Sequence, residues 1–175
     1  MRRLAITAVV FLAIGCSGSH TVPTDVLGVR QVLQESLNLM AFGFEQEDYF
    51  LASQPVSERF TMNNNVAVRY HPDGWGEVQG VGKFREFLLK VFELHANIEQ
   101  QFEITGVELN GELANANTNV IFNSARTDTV PPEAHTAPGE DLFIFEKENG
   151  AWKLIRWDEQ PEHPEDHGEG VGEDV

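Results

Sequence analysis

Two dipeptides, Asn110-Gly111 and Asn149-Gly150, constrain this chain most tightly. Asn-Gly between runs of alternating apolar residues closes a tight hairpin, because it accepts the positive φ angles that match the twist of the flanking strands. Ahead of the first dipeptide the apolar positions are Phe102 and Ile104, then Val107 and Leu109. That change of parity at Gly106 marks a bulge in a strand over residues 101–109. Behind it, Ala114, Ala116, Thr118, Val120 and Phe122 share one face, with asparagines prominent on the other. The second dipeptide separates strands over 142–146 and 151–157, while 127–139, with three prolines and no periodicity, reads as a loop.

The N-terminal half follows a different period. Val26, Val29, Leu33, Leu37, Met40 and Phe44 form one helical stripe, capped by Thr24 or Asp25 and ended or bent at Gly43. A shorter helix is predicted over 45–56, stopped near Pro55. From Phe60 to Tyr70 alternate residues are mainly apolar, which predicts a strand, and His71-Pro72-Asp73-Gly74 makes a turn. Beyond Gly80 and Gly82, helical spacing returns in Phe84, Leu88, Val91 and His95, with Phe87 and Leu94 beside them. Helices followed by hairpins define an α+β fold. Three N-terminal-half helices are expected to pack on a strongly curved, bulged antiparallel sheet, forming a cone with a pocket.

The ends of the chain carry its cellular address. Arg2 and Arg3 precede an apolar run over 4–14, too short to span a bilayer, and then Gly15-Cys16-Ser17. Cys16 is the sole cysteine, so no intramolecular disulfide can form and a hydrophobic core must hold the fold. The ending Leu12-Ala13-Ile14-Gly15-Cys16 resembles the lipobox of bacterial lipoproteins, with Ala13 where Leu is commonest. The resemblance implies that Cys16 is lipidated after cleavage and that the membrane is met through acyl chains. Ser17 resembles the residue of lipoproteins sent to the outer membrane, on the periplasmic side, in Gram-negative cells. The expected parts are a signal peptide (1–15), a tether (16–24), one domain (25–160) and a disordered acidic tail (161–175). The formal charge of −16 becomes −18 on cleavage, with 10 basic against 28 acidic residues. Such a chain excludes nucleic acid as a partner, because binding it requires basic side chains that displace counterions.

The element order, the stretch GWGEVQGVGKFREF (74–87) and the closing strand NGAWKLIRW (149–157) together resemble the SnoaL-like branch of the nuclear transport factor 2-like superfamily, over residues 25–159. The resemblance implies a cone of helices around a curved sheet, frequently a homodimer through the exposed sheet face. It implies little about chemistry, since members include isomerases, cyclases, hydrolases and binding modules.

Enzymes of that superfamily place a carboxylate or histidine, helped by tyrosine or aspartate, in an apolar cone that shifts its pKa. The candidates for such a catalytic role are Asp158, His95 and Tyr49, the last beside Asp48 on the lidding second helix. Candidate ligand-binding residues are Trp75, between two glycines, with Tyr70, His71, Arg156 and Trp152. Trp152, Leu154, Arg156 and Asp158 share one face of the last strand by alternation, Ile155 and Trp157 the other, and either face can line the cone. An exposed ion pair at the strand end is the competing reading of Arg156 and Asp158. A hydrogen-bonded packing role competes for His95, and packing with a wet hydroxyl for Tyr49. The tail residues Glu162, His163, Glu165, Asp166 and His167 lack the fixed geometry a metal site needs, so no metal is expected, and no cofactor motif occurs. Three functions remain open: a binder of a small, largely apolar ligand, an enzyme working by proton transfer, and a dimeric interaction module with a filled cone.

Overall fold

The computed structural model describes residues 25–71 and 74–160. The signal peptide, Cys16, the tether, the acidic tail and Pro72-Asp73 lie outside the described residues. Helix α1 (Val26–Glu45) buries Val29, Leu33, Leu37, Met40 and Phe44 completely, as its stripe requires. Asp25 caps it, accepting from the Gly28 N–H at 2.9 Å. Gly43 does not end α1, which runs on to Glu45. It lets the backbone of α2 (Tyr49–Ala52) approach, since a Cβ there would overlap the backbone of Ala52. The second helix is one turn long rather than spanning 45–56, and the Asp48 carboxylate caps it through the Phe50 and Leu51 N–H groups.

The predicted strand over 60–70 divides in two. Strand β1 (Val56–Met62) ends before Asn63, and helix α3 (Asn64–Tyr70) follows. Asn63 caps α3 by accepting from the Val66 N–H at 3.0 Å. Asparagine competes poorly in strands and well at helix caps, and three in succession decide the local structure here. Ala67 is consequently buried and Val68 exposed, the reverse of alternation. Strand β2 (Val78–Gln79) pairs antiparallel with β1. Helix α4 (Gly80–Leu94) turns Val81, Phe84, Phe87, Leu88 and Val91 inward. His95 stands just beyond it, as the first residue of β3 (His95–Asn110) rather than the last of the helix.

Strand β3 continues into β4 (Leu113–Arg126), β5 (Glu133–Glu148) and β6 (Ala151–Glu159). The expected hairpins close at Gly111 (φ 65°) and at Asn149-Gly150 (φ 51° and 83°). The register of β3 and β4 shifts between Ile104 and Gly106, at the expected bulge. Much of the expected 127–139 loop is strand. Pro138 is tolerated because it pairs only with β4; β6 joins β5 no earlier than Asp141. The sheet order is β2-β1-β6-β5-β4-β3, and β1 runs parallel to β6, so the sheet is mixed rather than wholly antiparallel. Helices cover one face of this open, bulged sheet, and thirty-one apolar residues between the layers form one core cluster that leaves few interior polar atoms to explain.

Candidate functional site

Helix α3 delivers two adjacent side chains to the interior, Arg69 and Tyr70. The Arg69 side chain is 6 % exposed and meets Asp141 of β5, which is fully buried, through two parallel bonds of 2.6 and 2.8 Å. The same carboxylate accepts from the Trp157 Nε1–H at 2.6 Å. Three donated bonds satisfy most of its acceptor sites, and Glu159 lies 3.8 Å from the guanidinium. Gly139 makes room for this pair, because a Cβ at that position would overlap the Arg69 guanidinium.

Two histidines hold the end of α3. His95 Nε2 lies 2.8 Å from the Tyr70 carbonyl and His135 Nε2 lies 3.0 Å from the Arg69 carbonyl. A carbonyl only accepts, so each Nε2 carries a proton. In neutral His95 the other nitrogen, Nδ1, then accepts from the Ser124 hydroxyl at 2.7 Å. Both nitrogens of His95 are occupied. Burial pushes its pKa below the usual histidine value, against the opposing hydrogen bond to Tyr70, and His135 and Arg126 add to the lowering. His95 is thus placed as a hydrogen-bonded packing residue.

Tyr70 is enclosed by rings. Phe122, Phe44, Trp157 and Phe87 lie 4.7, 5.7, 5.7 and 6.1 Å from it between centroids. Its hydroxyl has no hydrogen-bond partner, and burial drives its pKa well above the usual tyrosine range. Arg69 and then Gln100 of β3 lie close enough to influence that hydroxyl, neither reaching hydrogen-bond geometry. The Gln100 amide is 2 % exposed. Its Nε2 donates to the carbonyls of Gln101 and Ile121, each at 3.2 Å, while its Oε1 has no partner. Those two carbonyls fix which way the amide points.

Trp75 and His71 sit where this interior meets the surface, both half-buried. The backbone N–H groups of Trp75 and Gly76 donate to the Asn64 side chain at 3.3 and 2.9 Å. From there a line of rings leads inward: His71 to Trp75 at 5.8 Å, Trp75 to Phe87 at 6.0 Å, and Phe87 to Tyr70. His71 Nδ1 is buried without a partner.

The remaining sequence candidates are not brought to this interior. In β6 the residues buried are Trp152, Leu154 and then Trp157, because the register with β5 shifts around Ile155. Arg156 and Asp158 form an ion pair at 2.5 Å, with Arg156 side-chain exposure of 56 % and Asp158 also accepting from Asn63 at 3.2 Å. They are a strand-end pair, not the lining of a cone. Trp152 lies at the other end of β6, next to the hairpin, with its indole N–H unpartnered. Tyr49 packs against Phe50 with ring centroids 4.3 Å apart and tilted planes, beside the core. The sequence reading missed Arg69, Asp141 and Gln100. The signal for two was parity: Gln100 continues Phe102 and Ile104, and Asp141 continues Phe143 and Phe145.

The described residues have the nuclear transport factor 2-like fold. Among similar solved structures is a nuclear transport factor 2-like protein from Salmonella enterica, with a TM-score of 0.59 at 17% identity, covering 84% of this chain and 97% of the other. A ketosteroid isomerase-like protein from Erwinia carotovora gives 0.60 at 17%, covering 73% and 92%. A hexachlorocyclohexane dehydrochlorinase gives 0.64 at 10%, covering 78% and 87%. No protein-family description matches the sequence, and no curated protein matches it.

Two outcomes follow from this geometry. Asp141→Asn strands a buried guanidinium and is expected to cost about 3–5 kcal/mol in urea unfolding. The double replacement Arg69→Met with Asp141→Leu should recover most of that, though not all, because Trp157 still lacks an acceptor. For His95, the folded-state pKa lies below the unfolded value of about 6.5, so the unfolded chain binds the proton more readily. Its contribution to stability is present above about pH 6.5 and is lost as the pH falls through the folded-state value. Urea unfolding of His95→Gln between pH 8 and 5 should give a shallower acid loss than the parent protein.

Proposed function

We propose that this chain is an exported, lipid-anchored protein that takes a small, largely apolar molecule into its cone. The observation carrying this reading is the buried Tyr70 hydroxyl, which has no protein partner and whose ring is enclosed by Phe44, Phe87, Phe122 and Trp157. Each such atom costs about 1–3 kcal/mol when left unpaired, so its retention suits an occupant that pairs with it. A line of contacting rings leads from half-buried Trp75 through Phe87 to Tyr70. Among proteins of this fold, the dehydrochlorinase named above takes its name from a small, apolar chlorinated ring. Binding without turnover is favoured because His95, Asp141 and Asp158 are each engaged by neighbouring groups. A second reading, an enzyme using proton transfer, rests on His71, whose buried Nδ1 is unpartnered. The anchor reading rests on Cys16 and its flanks, with the outer membrane, periplasmic side, as the address in a Gram-negative cell.

Fluorescence titration with the neutral probe N-phenyl-1-naphthylamine is expected to saturate at one site per chain, and Trp75→Ala to weaken it about tenfold. Non-saturable partitioning would remove the cone reading. The anchor is read separately. Cys16→Ser should move the protein from the membrane fraction to the soluble fraction, and its retention on membranes contradicts lipidation at Cys16.

A further inference from the structure

The end of α3 is gripped at two successive carbonyls by imidazoles from two different strands. His95, the first residue of β3, donates from Nε2 to the Tyr70 carbonyl at 2.8 Å, and His135 of β5 donates to the Arg69 carbonyl at 3.0 Å. Their ring centroids are 5.2 Å apart. Ser124, the cross-strand partner of His135, closes the cluster by donating to His95 Nδ1 at 2.7 Å. The arrangement selects neutral His95, because one ring nitrogen must carry a proton while the other keeps its lone pair.

A proton on Nδ1 meets the Ser124 hydrogen and places a cation on a residue that is 1 % exposed. A charge on His135 then stands against it at close range, and like charges so placed resist double protonation. The other charged groups nearby give little relief. From β4, Arg126 opposes a positive charge on His95, while Asp128 beyond it favours one but is itself paired with Arg126. From α3 comes Arg69, whose guanidinium is held by Asp141, and His71 follows Tyr70 in the chain. Glu93 of α4 is exposed and paired with Lys90, and Glu133, two residues before His135 on β5, is exposed.

Release of these contacts has a defined boundary. Arg69 stays tied to Asp141, so α3 is pinned to β5 through that side chain while its last two carbonyls depend on the imidazoles. The turn beyond carries Trp75, which is held through backbone bonds to Asn64 and a ring contact with Phe87. We propose that His95 and His135 form an acid-sensitive latch: neutral, they clamp the end of α3 to β3 and β5, and when both are charged that end and the turn bearing Trp75 come away. The latch does not depend on the cone reading. In the opened state both rings reach water and accept protons, so acid favours opening, by about tenfold for each unit separating the closed and open pKa values.

Hydrogen exchange of the full chain, read at about pH 7.5 and about pH 5 and corrected for the intrinsic rate, tests this. Protection of residues 64–71 and 74–79 is expected to fall about tenfold at the lower pH, while β4 and β5 change by less than about twofold. His135→Gln keeps an N–H for the Arg69 carbonyl and takes no charge. It should retain the protection of those residues at about pH 5 and raise the pH at which the His95 ring titrates by NMR. Uniform loss across the sheet, no loss at all, or a glutamine variant that opens like the parent overturns the latch. Should that variant not fold, the ring titrations of the parent protein decide: coupled steps for the two histidines support the proposal, and independent ones overturn it.

Discussion

The buried pairing of Arg69 with Asp141 is the constraint around which the interior is arranged. A lone guanidinium or carboxylate at that depth would cost several kcal/mol in lost hydration, so each requires the other. The requirement spreads outward. Asp141 must point inward from β5, Trp157 must turn its indole N–H to the same carboxylate, and residue 139 must be glycine so that the guanidinium fits. Because Arg69 is carried by α3, the pair ties that short helix to β5 and β6, and Tyr70 is placed as a consequence. The position of Tyr70 is thus set by an ion pair on the neighbouring residue.

The histidines act on the same helix from the other side. A seven-residue helix leaves its last carbonyls without intrahelical donors. His95 and His135 supply donors to the carbonyls of Tyr70 and Arg69, from the strands beneath. The polar content of the interior is therefore largely structural: two imidazoles fix the backbone of α3, and one carboxylate fixes its arginine. Among the described residues they leave four buried side-chain atoms unengaged, the Tyr70 hydroxyl, the Gln100 oxygen, His71 Nδ1 and the Trp152 indole N–H.

How much of this was legible follows from the range of each signal. The hairpins at Gly111 and Asn149-Gly150 and the bulge at Gly106 are local, written in turn residues and parity, and the structure has them where the sequence places them. The strand assigned to 60–70 failed because Val66 and Tyr70 are buried under either period, so that only the asparagine run could decide. Gln100 and Asp141 went unread because their strands were drawn too short, although the parity of the neighbouring phenylalanines already pointed them inward. Arg156 and Asp158 were offered as cone residues on unbroken alternation. The irregularity at Ile155 arises from pairing with β5, a long-range fact with no glycine to announce it. Arg69 could not be found from sequence at all, since its role depends on a partner more than seventy residues away.

Shared architecture does not carry chemistry with it; what matters is which polar groups the folded chain leaves free. A general base in a cone needs a lone pair, a shifted pKa and access to the ligand. Here the buried carboxylate spends its lone pairs on Arg69 and Trp157, and His95 spends its own on Ser124. Tyr70 and Gln100 leave a phenol oxygen and an amide oxygen buried without partners. Such a pair is poorly suited to abstracting a proton, because the phenol is held far from ionisation and the amide oxygen is not basic.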